Sequence, residues 1–284
     1  MDNRMDRSFA SLRSRREGAL IPLVPGDRPP FTSSMELLDM FVQAGSDMVE
    51  IAVPARYPWM EGKTMQIHQL EAISKGIKPD DSFGLMKCAR GKHAELPLVV
   101  INFMGPIFLV GQEYYVEQCA NAGMDCADIP DYAYVGSDDH YGLVAALHRN
   151  NIHFNVDLTT DQAVVPEGTQ EYEFLKKSIQ LSSGFLFMIA QPGGASDAKP
   201  TLPVDKLKPA VERVRALEDK LGVTTPIIVV CGISTPEQVW GSMRTVGADG
   251  VMLGSAVSNR LQAGQSLESV QPFVAALKDA TRFW

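Results

Sequence analysis

Eight short apolar runs, separated by longer amphipathic stretches, constrain this chain more than any other feature. The runs lie at 19–24, 48–53, 96–103, 126–129, 152–158, 184–190, 226–231 and 250–253. They are nearly continuous in apolar residues rather than alternating with polar ones, which suits parallel strands covered on both faces. Amphipathic stretches at 34–44, 112–122, 138–150, 168–181, 204–221 and 236–246 fall between them with helical spacing. Gly123, Gly222 and Gly247 close three of these, as glycines just past helix ends do. Thr235-Pro236-Glu237-Gln238 opens another, with a capping hydroxyl, a proline at the first helical position and a glutamine to complete the box. Strand–helix alternation repeated eight times predicts a closed (β/α)₈ barrel, with an extra N-terminal helix over 6–15; an open doubly wound sheet is the structural alternative. No linker or low-complexity tract interrupts the pattern, so residues 1–284 are read as a single barrel domain.

Charge and composition narrow the function. A formal net charge of −8 argues against nucleic acid as a partner, since phosphate backbones need a basic face. It does not exclude a small phosphorylated substrate, because a few amides and one helix terminus can hold a phosphate. No run reaches the ~20 apolar residues of a membrane span, and the first residues, MDNRMDRSFASLRSRREG, have no apolar core of a signal peptide. Cys88, Cys119, Cys126 and Cys231 form no CxxC pair, which fits reduced cysteines in a cytoplasmic protein.

In a barrel of this kind reactive groups collect at the C-terminal ends of strands. Glu50 interrupts the second run. Alternation sends Val49 and Ile51 to the opposite face, so Glu50 points into the barrel mouth. A carboxylate there is costly unless paired, and is more often kept for chemistry than for structure. The seventh run ends in CGIST and the eighth in GVMLGSAV, each opening a helix. Glycines that admit an anion to free amides after strands seven and eight make a phosphate site, with Gly232, Ser234, Gly254 and Ser255 as its residues; ordinary capped turns are the plainer reading. The sixth run leads into AQPGGASDAKPTLP, a loop of small residues suited to a lid or to a plain connection. Asp128, Asp131, Asp157 and Asn102 make the mouth unusually polar and acidic. Three aspartates could hold Mg²⁺, but acids at strand ends more often bond to loops, and no histidine completes a ligand pattern.

The segments EGALIPLVPGD, LLDMFVQAGSDMVEIAVP, MEGKTMQ, DIPD, CGISTPEQV and GVMLGSAV, in that order from about Phe9 to about Leu261, resemble the α subunit of tryptophan synthase and its stand-alone indole-3-glycerol-phosphate lyase relatives. The resemblance implies a retro-aldol cleavage of indole-3-glycerol phosphate to indole and glyceraldehyde 3-phosphate, with no cofactor and no metal. It implies Glu50 as the general acid/base and Glu61 as the acid that holds the indole N–H. Phosphate contacts fall on Gly232, Ser234, Gly254 and Ser255, with Ser196 in the lid loop. Leu23, Asn102, Asp128 and Phe187 are expected at the substrate pocket, and Trp59, between the two acids, either walls one side of it or covers the barrel mouth.

Departures from the family pattern are specific. The loop after strand two reads Pro-Ala-Arg-Tyr-Pro-Trp-Met-Glu-Gly where the family has roughly Pro-Phe-Ser-Asp-Pro-x-Ala-Asp-Gly. A family arginine is Gln191, a threonine is Ala195, a strand-six tyrosine is Phe187, and an asparagine used against the β subunit is Gly105. These changes argue against docking of the ordinary β-type tryptophan synthase partner; a homo-oligomer stays open. A pocket leucine aligns with Asp128 and a methionine with Asn102. Either Asp128 points away, or the substrate is a more polar analogue that brings a cation or donors where indole brings carbon. The alternative function is a non-catalytic phosphometabolite-binding or partner-regulating paralogue of the α subunit.

Overall fold

The computed structural model describes residues 3–27, 29–132, 139, 141–191 and 202–282. Its strands are β1 (Ala19–Val24), β2 (Val49–Ala52), β3 (Leu98–Ile101), β4 (Cys126–Asp128), β5 (His153–Thr159), β6 (Leu186–Ile189), β7 (Ile227–Val230) and β8 (Gly250–Leu253). All pair in parallel and in sequence order, and β1 closes the barrel on β8 with Ala19 opposite Gly250 and Pro22 opposite Leu253. Gly250 is needed at that seam, because a Cβ there would stand 2.6 Å from the Ala19 carbonyl oxygen. The closed (β/α)₈ architecture expected from the runs is therefore observed. The runs overstate the strands: 96–103 shrinks to Leu98–Ile101, since apolar content marks burial and not hydrogen-bond pairing.

Side-chain alternation divides the apolar residues into two layers. Ile21, Leu23, Val99, Ile101, Phe187, Ile228 and Met252 fill the barrel, while Leu20, Val49, Ile51, Val100, Leu186 and Val229 pack outward under the helices. The N-terminal helix, Arg4–Arg15, sends Met5, Phe9 and Leu12 into the inner layer and so plugs the bottom of the barrel. Two helices, Lys63–Ser74 and Pro79–Lys92, occupy the β2–β3 crossover, where the sequence predicts no amphipathic stretch. In the first of them Ile67 and Leu70 are exposed while Gln69 is buried, so its apolar residues make no clean stripe. The expected helix over 236–246 is an α-helical turn, Pro236–Gly241, continued by a π-helical turn, Ser242–Val246. A C-terminal helix, Leu267–Asp279, lies beyond the alternation read from the sequence. No helix among the described residues is long and apolar enough to cross a membrane.

The bottom of the barrel repeats one device. Asp47, just before β2, accepts the Leu20 amide of β1 at 2.9 Å and returns its own N–H to the Leu20 carbonyl. Asp125 before β4 does the same with Leu98 of β3, and Asp249 before β8 with Ile227 of β7. Ser183 before β6 plays this part for Phe154 of β5 through its hydroxyl. Each aspartate also has a cation: Lys278 on Asp47 at 2.8 Å, Arg90 and Arg4 on Asp125 at 2.7 and 3.1 Å, and Arg215 on Asp249. The bottom carboxylates are thus hydrogen-bonded and charge-paired, the condition under which burial is tolerated.

Candidate active site

The opposite end of the barrel opens into a cavity of about 780 Å³, counted out to the solvent at its mouth. Its wall has three parts. Leu23, Ile101, Phe187, Ile189, Val230 and Met252 provide apolar faces. Glu50, Glu61, Asp128 and Asp157 provide four carboxyl groups, and Gly232, Gly254 and Ser255 provide small residues at the ends of β7 and β8. No lysine, arginine or histidine lines it among the described residues.

Glu50 lies in the middle of β2 and is fully buried. Its flanking residues Val49 and Ile51 belong to the outer layer, as alternation requires. Neither of its carboxyl oxygens finds a donor among the described residues. Burial pushes its pKa well above the usual carboxylate range, and the nearby Asp157 and Glu61 push it further. Asp128, the last residue of β4, is also raised well above its ordinary value, first by burial, then by Asp157 and Glu50. The Asp128 carboxyl lies against that of Glu50, and two carboxyls can hydrogen-bond only when one keeps its proton. Both groups are raised overall, so the pair keeps a proton between them. A like contact with Asp128 lowers Asp157, whose burial still leaves it at about 7. The three carboxyls therefore hold protons jointly.

Glu61 comes from the loop after β2. The buried Gln69 of helix Lys63–Ser74 fixes it, donating to Glu61 Oε1 at 2.6 Å while accepting the Ala55 amide at 2.6 Å. Glu61 Oε2 has no donor among the described residues. Burial lifts its pKa to about 7, against the Gln69 hydrogen bond and with the help of Asp157.

At the far side the chain turns sharply after β7. Cys231 and Gly232 have φ of 68° and 97°, and a Cβ on Gly232 would meet Gln191 Nε2 at 3.2 Å. Glycine keeps the backbone there open to the cavity. Ser255 begins the helix Ser255–Gln262, whose N-terminus faces the same space. Free amides and the positive end of a helix are the means by which an acidic protein holds an anion.

The residues expected from the sequence divide accordingly. Glu50, Glu61, Asp128, Leu23, Phe187, Gly232, Gly254 and Ser255 meet in one cavity. Asn102 does not: one step past Ile101, it turns to the other face and caps the Phe103 amide with Oδ1 at 2.8 Å. Trp59 is 53% exposed and stands outside, while its neighbour Met60 lines the wall. Ser234 is held by the helix cap, giving its amide to Gln238 Oε1 at 2.8 Å and its hydroxyl at 3.1 Å. Ser196 and most of its lid loop lie outside the described residues. Asp131 is tied to the Met104 amide at 2.9 Å, as a loop-bonded strand-end acid. Asp157, expected among the acids of the mouth but given no role, lines the cavity too, and Gln69 supports it from behind Glu61. Asp157 was visible as an acid in an apolar run; Gln69 left no signal, since nothing in the sequence tells a buried glutamine from a surface one.

A family model, "Tryptophan synthase alpha chain", matches residues 9–282. The chain belongs to that family. Similar curated relatives are the tryptophan synthase alpha chains of Vibrio vulnificus, 28% identical with 99% of each chain covered, and Citrobacter koseri, 27% identical with 98% of this chain and 99% of the relative covered. Among solved structures, Mycobacterium tuberculosis tryptophan synthase matches with a TM-score of 0.83 at 22% identity over 100% of both chains. The subunit alpha of Legionella pneumophila matches with a TM-score of 0.79 at 22% identity over 99% of both. These structural likenesses support the fold.

Proposed function

We propose that this member of the tryptophan synthase alpha chain family is a carbon–carbon lyase. It cleaves indole-3-glycerol phosphate, or a more polar analogue, by a retro-aldol reaction in the cytoplasm. The observation that carries the reading is Glu50, a fully buried carboxyl with no donor among the described residues, lining a cavity that has an apolar wall. Its raised pKa keeps a proton available near neutrality, which is what a general acid needs.

The reaction then uses each part of the wall. The ring lies between the apolar faces, and Gly232, Gly254 and Ser255 hold the phosphate. Glu50 gives its proton to the ring carbon that bears the glycerol chain. The ring nitrogen takes the resulting positive charge, and Glu61 accepts its N–H. The carbinol O–H returns a proton to the Glu50 carboxylate, the carbon–carbon bond breaks, and its electron pair goes back to the ring. The products are the free aromatic ring and glyceraldehyde 3-phosphate. No oxidant or metal enters this balance.

Release of glyceraldehyde 3-phosphate from indole-3-glycerol phosphate by the isolated protein, read in a coupled assay, tests the proposal. Absence of release in the presence of intact phosphate binding would favour the phosphometabolite-binding reading. The loop that a β-type partner would meet is the rewritten one, with Tyr57 80% exposed. We therefore propose that the chain works without the ordinary β partner, and a stable complex with a β chain on size exclusion would reverse this.

A further inference from the structure

The barrel mouth holds more carboxyl groups than the proposed reaction uses. Glu50 and Glu61 have parts in it; Asp128 and Asp157 have none. Asp128 is 1% exposed, and its Oδ1, like Oδ1 of Asp157, receives no hydrogen bond from any described residue. An acceptor buried without a donor is expensive, and a protein that retains several in one cavity leaves them for something the ligand supplies. This is not a general looseness of the fold. Three residues before Asp128, the equally buried Asp125 has two guanidinium partners.

The geometry also says what kind of ligand would satisfy them. No group of three His, Cys, Asp or Glu side chains has the arrangement to hold a metal ion among the described residues. The surrounding wall, Leu23, Ile101, Phe187 and Met252, is apolar and suits the faces of a flat ring. Acceptors at the edge of an apolar slot select a ring by the donors on its rim. Plain indole has a single N–H, which the lyase reading assigns to Glu61, and would set carbon against Asp128 and Asp157.

We propose that the ring end of this cavity recognises an aromatic ring with an additional nitrogen donor, an amine or a second N–H, and that Asp128 and Asp157 are the specificity-determining acceptors. The inference rests on the lyase reading and names its substrate class. The added nitrogen gives its hydrogens to the Oδ1 atoms of Asp128 and Asp157, supplying the donors that the described residues do not.

Titration calorimetry of the full chain with indole and with 4-, 5-, 6- and 7-aminoindole, in the presence of glycerol 3-phosphate, tests it. At least one amino derivative should bind about tenfold or more tightly than indole to the wild type. That preference should shrink to about twofold or less in Asp128→Leu, or in Asp157→Val where the first variant does not fold. Indole binding as tightly as every amino derivative overturns the proposal, and so does a preference that survives both substitutions. Glycerol 3-phosphate titrated alone separates the two readings. Phosphate binding without amine preference removes this inference and leaves the lyase. Amine preference without phosphate binding removes the lyase and leaves the ring site.

Discussion

Asp125 and Asp128 stand at opposite ends of one three-residue strand, and nearly everything about them differs except their burial. Asp125, at the bottom, accepts the Leu98 amide and pairs with Arg90 and Arg4. Asp128, at the mouth, lies near the carboxyls of Asp157, Glu50 and Glu61, and its Oδ1 has no donor among the described residues. The same contrast runs around the barrel: Asp47 and Asp249 are paired with cations below, while Glu50 and Asp157 face other carboxyls above. The lower acids hold strands together. The upper acids cost stability, and their use has to be sought in a ligand.

Four experiments would sharpen or break this contrast. Glu50→Gln should lower turnover by about 10²- to 10⁴-fold, the range for a lost general acid/base, with the thermal midpoint unchanged or raised. Near-normal turnover would place Glu50 outside the chemistry. Asp125→Ala should instead cost about 3–5 kcal/mol of stability, because it strands Arg90 and the Leu98 amide. Its turnover per folded molecule should be unaffected, and denaturant titration with an activity assay on the same samples would show whether the two ends are separable.

Acids of the mouth should behave in the reverse sense. Glu61 and Asp157 sit at about 7 in the folded chain, against ordinary values of 4.5 and 3.8. The folded state binds their protons more tightly than the unfolded state does. Stability is therefore fully present below about pH 4 and is lost as pH rises toward 7 and past it. The thermal midpoint of the ligand-free protein should fall between pH 5 and pH 8. Asp157→Asn should raise stability at pH 8 by about 1–3 kcal/mol and flatten that fall; a lower midpoint at pH 8 would show that Asp157 has a partner in the fold. The smallest effect is expected at the phosphate end. Gly232→Ala must carry a Cβ at φ 97° against Gln191, which should weaken glycerol 3-phosphate binding by about fivefold, a cost near 1 kcal/mol.

The mouth was more legible in the sequence than the bottom. Glu50 broke an apolar run, and the glycines after the last two runs marked the turns, so those positions could be read from composition and strand period. Asn102 and Trp59 were misplaced because each lies one residue beyond or beside a cavity residue, Ile101 and Met60. A one-residue step past a strand end reverses the side chain. Ser234 looked free because the glutamine that holds it lies in the next helix, although Gln238 was already readable as the capping partner of Thr235. The Gly-x-Asp sequences before β2, β4 and β8 (Gly45-Ser46-Asp47, Gly123-Met124-Asp125 and Gly247-Ala248-Asp249) were present all along, but meant little until the strands were paired.

By itself, the sequence determined the alternation of buried strands and covering helices, the direction of Glu50, and the open turns after strands seven and eight. These are local matters of period, propensity and glycine geometry. Only the tertiary structure decided which acids acquire partners. Asp125 and Asp128 are three residues apart and chemically identical. Their difference arises because arginines 35 and 121 residues away in sequence reach one end of the strand, whereas acids from β2 and β5 reach the other.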